Sequence, residues 1–161
     1  MFNLKSEFYL KIIFLFSLIA LISAFFIEYV LGHQPCNLCL IERIPYGLSI
    51  IIIMAFFLIK KNQKFLILLL ILTFIFSFAV SFYHYGIEQG FFQESSVCGV
   101  KNMTESITKE NLLKQLSEKT ISCKDVTFKI FGFSLTSINI VISLLFIITL
   151  IKIFNKYEKN R

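Results

Sequence analysis

Residues 65–83 read FLILLLILTFIFSFAVSFY. A helix needs about 20 consecutive apolar residues to cross the hydrocarbon core of a bilayer, and this run is of that length. Three more runs of the same kind lie outward from it, near Tyr9–Val30, Ile41–Ile59 and Leu135–Phe154. The chain has 161 residues, 57% of them hydrophobic and only 16% charged. A soluble domain of that size could not hide so much apolar surface, and long apolar runs mark membrane spans. In lipid the backbone must satisfy its own hydrogen bonds. The expected fold is therefore an all-α membrane protein, one domain over residues 1–161, with a bundle of four transmembrane helices. The expected spans are about 9–30, 41–59, 65–83 and 135–154. The first has too long an apolar core for a signal peptide, and no small-x-small cleavage site follows it. It reads as a retained helix.

The net charge of +6 raises the question of a nucleic-acid partner. None is expected, because the basic residues sit beside the apolar runs and form no separate polar module. Lys5 and Lys11 enter the first span; Lys60, Lys61 and Lys64 separate the second from the third; Lys152, Lys156, Lys159 and Arg161 end the chain. Only Glu7 and Glu158 oppose them, whereas Glu88–Lys129 holds six lysines and six acids. The positive-inside rule then places both termini and the 60–64 turn in the cytoplasm. A short loop, about 31–40, and a long one, about 84–134, face outward.

All four cysteines fall in those two loops. Cys36 and Cys39 stand in Gln34-Pro35-Cys36-Asn37-Leu38-Cys39, and Cys98 and Cys123 lie in the longer loop. The hydrophobic stretches hold none, although cysteine is usually among the most buried residues. On the outer face disulfides form and persist. Two pairs on one side of a membrane are the parts needed to pass electrons from a soluble thiol protein to a lipid-soluble acceptor. Pro35 suits the first turn of a helix. Cys36 and Cys39 then lie where unpaired N–H groups and the helix dipole favour a thiolate. A structural bridge is the alternative reading of this CxxC. In the long loop, residues 103–119 read as an amphipathic surface helix capped by Thr104, with Ile107, Leu112, Leu113 and Leu116 on its apolar side. A bridge between Cys98 and Cys123 could be structural, contributing roughly 3.5 kcal/mol on the chain-entropy model. No metal is expected. The second pair is not CxxC, and no His-x-His or acidic cluster stands near it.

Further candidates come from the spans. Arg43 follows Cys39 by four residues, one turn along the same helix face. The chain has only one other arginine, Arg161. A guanidinium just inside an apolar helix usually has a partner. It either snorkels to the interface or stabilises a Cys39 thiolate and binds a ligand carbonyl. Glu42 either orients Arg43 or faces solvent. Pro45 kinks the second span and opens space below Cys39, or is merely tolerated there. His84 ends the third span, as an interfacial structural residue or as a hydrogen-bond donor and proton relay.

These residues in this order resemble the disulfide bond formation protein B (DsbB) family. The resemblance covers the whole chain: four spans, Gln34-Pro35-Cys36-x-x-Cys39-x-x-Glu42-Arg43, His84, Cys98, Cys123 and Phe131-Gly132-Phe133-Ser134-Leu135. It implies a bacterial inner-membrane thiol:quinone oxidoreductase whose redox loops face the periplasm. Such an enzyme reoxidises a soluble DsbA-like thioredoxin-fold oxidase and passes electrons to ubiquinone or menaquinone in the membrane pool. By resemblance, Cys98 forms the mixed disulfide with the partner, Cys123 reacts next with Cys36, and Cys39 faces the quinone. Arg43 and His84 are the expected quinone-binding residues. The expected resting state holds Cys36–Cys39 and Cys98–Cys123 disulfides. One departure is the absence of tryptophan, which relatives often carry near these loops. Competing readings are a sibling serving another soluble partner, and a four-span scaffold with two structural disulfides. A vitamin K epoxide reductase-like protein fits the motif order less well.

Overall fold

The computed structural model describes residues 4–59, 62–94, 98, 122–124, 129–130 and 132–159. The surface helix expected over 103–119 lies outside them. Four helices dominate: α1 (Leu4–Tyr29), α2 (Asn37–Leu58), α3 (Gln63–Glu88) and α4 (Leu135–Lys159). All four are long and apolar enough to cross a membrane. At a rise of about 1.5 Å per residue they reach about 33–39 Å, against a hydrocarbon core of about 30 Å. The fold is thus the expected all-α membrane bundle. A two-stranded antiparallel hairpin, β1 (Lys129–Ile130) and β2 (Phe133–Ser134), leads into α4.

α3 runs past the expected end of its span at residue 83. His84 and Ile87 continue the buried stripe that begins with Phe74, Ser77 and Ser81. The helical repeat keeps them on one face, so burial favours continuing the helix. It stops where Gly90 adopts φ +78°, a conformation open to glycine at no steric cost. The chain then folds back on itself. The N–H groups of Phe91 and Phe92 both donate to the Gly86 carbonyl. A Cβ on Gly86 would meet the Phe92 ring at 2.1 Å, so only glycine allows this close return. The return brings the segment toward Cys98 back over the end of α3.

α3 packs on both α2 and α4, and α1 packs mainly on α2. The faces turned away from the bundle are apolar: Ile12, Leu15 and Ile19 on α1, Leu68, Leu72 and Ile75 on α3. Lipid tails are as apolar as these side chains, so helix association rests on packing and on hydrogen bonds between helices. The bundle interior divides accordingly into two halves. At the end holding the start of α1 and the finish of α4, Leu10, Ile13, Ile53, Phe56, Ile67, Leu70, Leu150 and Ile153 form a continuous apolar core. Towards the other end the buried positions turn polar. Ser49 Oγ donates to Ser17 Oγ (2.9 Å), joining α2 to α1. Ser143 Oγ donates to Ser77 Oγ (3.1 Å), and Asn139 Nδ2 donates to Ser81 Oγ (2.7 Å), joining α4 to α3. One half fixes the helices against each other; the other carries the chemistry.

Candidate functional site

The polar half is built on the start of α2. Cys36 is its N-cap, with extended backbone (φ −72°, ψ 167°), and its sulfur accepts the backbone N–H of Cys39 at 3.3 Å. Cysteine here does what serine does at an N-cap: it satisfies a helix donor that has no intrahelical partner. Of the two cysteines that the sequence places at the helix start, it is Cys36 whose sulfur takes the helix N–H. The Cys36 thiol is held far below its ordinary value, at about 4. The adjacent Cys39 thiol contributes most, aided by the His84 imidazole and the Cys39 N–H, while burial opposes them. Cys36 and Cys39 are free cysteines with their sulfurs 2.8 Å apart. That spacing keeps the two sulfurs within reach of a disulfide with little movement.

His84 reaches this pair from α3. Its Nε2 lies 3.6 Å from Cys36 Sγ, and its Nδ1 lies 2.8 Å from Glu42 Oε1. The ring is 2% exposed. Glu42, one turn into α2, neither orients Arg43 nor faces solvent. It holds the Nδ1 edge of His84 with one oxygen, and its other oxygen accepts from Asn139 Nδ2 of α4 at 3.1 Å. Tyr46 OH donates to Asn139 Oδ1. Thr136 Oγ1 stands 3.3 Å from His84 Nδ1 and donates to Glu88 Oε1 at 2.6 Å. A cysteine, a histidine and a carboxylate from α2 and α3 are thus locked together by polar groups of α4. Such connected buried groups fix side-chain orientation, because leaving any one unpaired is costly.

On the other side of α2, between α1 and α4, lies a cavity of about 260 Å³. For comparison, a dry cavity of about 150 Å³ is enough to hold benzene. Phe16, Ala20 and Ile138 are among its apolar walls, and Cys39, Arg43 and Asn139 are among the polar groups at its edge. Cys36 and His84 are not among its lining residues. The two cysteines of the motif therefore face different surroundings, Cys36 the His84 ring and Cys39 the cavity, while Glu42 lines the cavity and also holds His84. His84, expected beside the ligand, lies against Cys36 Sγ. Arg43 is at the cavity but is not an isolated cation. Its guanidinium donates to Glu28 of α1 and lies 5.2 Å over the Phe25 ring. Sequence reasoning missed Glu28, an acid near the end of an apolar span; such residues are expensive in lipid and usually paired. Asn139 and Thr136, polar residues at the start of the fourth run, carried the same signal.

The second pair sits directly against the first. Cys98 and Cys123 are joined in a disulfide, with Cα atoms 5.6 Å apart. Both are 1% exposed and share one buried cluster with Cys36, Leu38 and Ile87, against which Cys39, Ile41 and Tyr83 pack. Glu94 secures the turn around Cys123. Its Oε1 accepts from Ser122 Oγ and from the Lys124 backbone N–H (3.0 Å), the two residues flanking that cysteine. Four cysteines that the sequence divides between two loops are therefore neighbours in the fold.

The expectation of no metal rested on a second pair that is not CxxC and on the lack of a His-x-His or acidic cluster near it. The fold instead brings a histidine of α3 to the first pair: ligand atoms of Cys36, Cys39 and His84 all lie within 4.8 Å of one another.

The family model described as disulfide bond formation protein DsbB matches residues 6–153. An uncharacterized protein of Rickettsia prowazekii (strain Madrid E) is 32% identical over 136 residues, spanning 83% of this chain and 79% of the relative. With four membrane-length helices and the match running from the first of them into the last, the chain belongs to the DsbB family of disulfide bond formation proteins.

Proposed function

We propose that the chain is a bacterial inner-membrane thiol:quinone oxidoreductase that reoxidises a periplasmic DsbA-like dithiol oxidase. The observation that carries this reading is the burial of both cysteine pairs in one cluster, with Cys39 on the wall of a ring-sized cavity. Electrons enter at the loop pair. A thiolate of the reduced partner attacks Cys98, a new disulfide forms between them, and Cys123 leaves as thiolate. The partner's second thiol then breaks that mixed disulfide and the partner departs oxidised, leaving Cys98 reduced. Cys123 attacks Cys36, the Cys36–Cys39 bond breaks, and Cys39 leaves as thiolate beside the cavity. Attack of Cys98 on Cys123 restores the loop disulfide and frees Cys36. The net result is a bonded loop pair and a dithiol inner pair.

The cavity fits a quinone by its apolar walls and its polar edge. A quinone held there supplies the two-electron, two-proton acceptor that returns the inner dithiol to a disulfide. Arg43 offers a planar set of donors to a carbonyl oxygen at that edge, oriented by Glu28. Glu42 and His84 hold a proton within reach of Cys36 on the opposite side. The lysine asymmetry supports placing the cysteine-bearing end in the periplasm.

The test is steady-state oxidation of a reduced thioredoxin-fold oxidase by the detergent-purified protein with ubiquinone or menaquinone analogues. One quinone should be reduced per partner disulfide formed, and Cys36→Ser should abolish both. Partner thiols that stay reduced with either quinone would sink the proposal.

A further inference from the structure

We propose that the dithiol form of this chain binds one zinc ion through Cys36, Cys39 and His84, with Glu88 as fourth ligand, and that bound zinc halts turnover. The second half rests on the oxidoreductase reading above; the binding half does not.

Three observations carry the site. The first is spacing. A tetrahedral zinc with Zn–S near 2.3 Å and Zn–N near 2.0–2.1 Å sets an S···N edge of about 3.6 Å and an S···S edge of about 3.8 Å. Cys36 Sγ and His84 Nε2 are already 3.6 Å apart. The two sulfurs, at 2.8 Å, need to part by about 1 Å, which a turn of the Cys39 side chain towards the cavity supplies.

The second observation is the far side of the imidazole. Glu42 Oε1 lies 2.8 Å from Nδ1. A proton on Nδ1 shared with that carboxylate leaves the Nε2 lone pair aimed at the Cys36 sulfur. A histidine held on its other nitrogen by a carboxylate is the usual outer-sphere arrangement of metal-ligating histidines.

The third is Glu88. Its side chain is 5% exposed, and its Oε1 stands 3.8 Å from His84 Nε2. Its Oε2 is buried with no hydrogen-bond partner among the described residues. A buried carboxylate oxygen without a donor is costly. Glu88 lies outside the 4.8 Å group of Cys36, Cys39 and His84, and a turn of its side chain towards the ring would let a cation on His84 Nε2 satisfy that oxygen.

Two thiolates, an imidazole and a carboxylate suit zinc better than a hard cation. Binding releases the remaining thiol protons to solvent and involves no electron transfer. Oxidation of the pair removes both thiolate ligands, so the site exists only in the dithiol state. Zinc and disulfide formation compete for the same two sulfurs.

The test uses the full chain in detergent, reduced with a phosphine and then freed of reductant and metal. Titration with Co²⁺ should give thiolate charge-transfer and tetrahedral ligand-field bands at one equivalent, with Zn²⁺ displacing them. A Cys98→Ser/Cys123→Ser variant should keep that equivalent, and protein with its disulfides re-formed should lose it. Glu42→Gln leaves every ligand in place and should weaken binding about 10–100-fold. Stoichiometric binding that survives Cys36→Ser, or no uptake by the dithiol form at micromolar metal, overturns the site. Unchanged turnover in zinc-saturated protein overturns the inhibition. Metal-free protein that fails to reduce quinone counts against the oxidoreductase reading and leaves the binding result intact.

Discussion

Replacing Glu28 by alanine should impair quinone use although Glu28 is not among the residues lining the cavity. Glu28 is the acceptor that fixes the Arg43 guanidinium between α1 and α2. A hydrogen bond between charged groups contributes about 1.5–3 kcal/mol. The two side chains are 17% and 21% exposed, so solvent screening brings the estimate down to about 1–2 kcal/mol. At tenfold per 1.4 kcal/mol, that corresponds to a rise of about 5–30-fold in apparent quinone KM for Arg43→Ala. Glu28→Ala should raise KM several-fold, since a free guanidinium loses its orientation. The double variant should be no worse than Arg43→Ala, because both changes remove the same positioned group. The assay is a quinone titration at saturating reduced partner for all four proteins. If Arg43 acts only as a positive charge, removing Glu28 would tighten quinone use. A KM at or below wild type in Glu28→Ala, with effects that add in the double variant, would refute the reasoning.

Further outcomes follow from neighbouring contacts. Glu42→Ala removes the acceptor shared by His84 and Asn139 and should destabilise the protein by about 1–3 kcal/mol, given that hydrogen bonds inside membrane bundles average about 0.6 and reach about 1.7. Glu42→Gln keeps one acceptor and should cost about half; circular dichroism melts in detergent compare the two. Glu94→Ala frees both hydrogen bonds flanking Cys123, so partner oxidation should slow while quinone KM holds. Equal slowing in Glu94→Gln, which retains an acceptor, would point to charge instead. Cys123→Ser leaves Cys98 a free thiol, which should attack the disulfide of the oxidised soluble partner and hold it in a long-lived mixed disulfide, visible on a non-reducing gel, because Cys123 is no longer there to expel the partner. Trapping in Cys98→Ser instead would reverse the two roles.

The helices were legible because length and hydropathy depend only on neighbours along the chain. The place of Cys39 was less so: α2 begins at Asn37, ahead of the expected span start near Ile41, and takes Cys39 into its first turn. What could not be read was the rotation of each helix about its axis, which decides partners. Glu42 offered two readings in the sequence, and the fold selects a third, since α2 turns it towards α3 and α4 and away from Arg43. Arg43 correctly announced a partner, but Glu28 lies 15 residues earlier on another helix. His84 was flagged by its chemistry, yet only the burial of α3 places it 48 residues from Cys36 and still beside its sulfur. The thiolate argument named both cysteines at the helix start, and the fold makes Cys36 the N-cap.

The central claim is that the Cys36/Cys39 dithiol is the pair that reduces quinone. A single-turnover reaction tests it without any soluble partner. Protein with Cys36 and Cys39 reduced, in a Cys98→Ser/Cys123→Ser background, is mixed with one equivalent of quinone, and quinone absorbance is followed beside mass mapping of the cysteines. The account predicts one quinol formed and one Cys36–Cys39 disulfide made, with neither appearing when Cys39 is also changed to serine. Quinone reduction that persists without Cys39, or a dithiol that stays reduced in the presence of quinone, would contradict it.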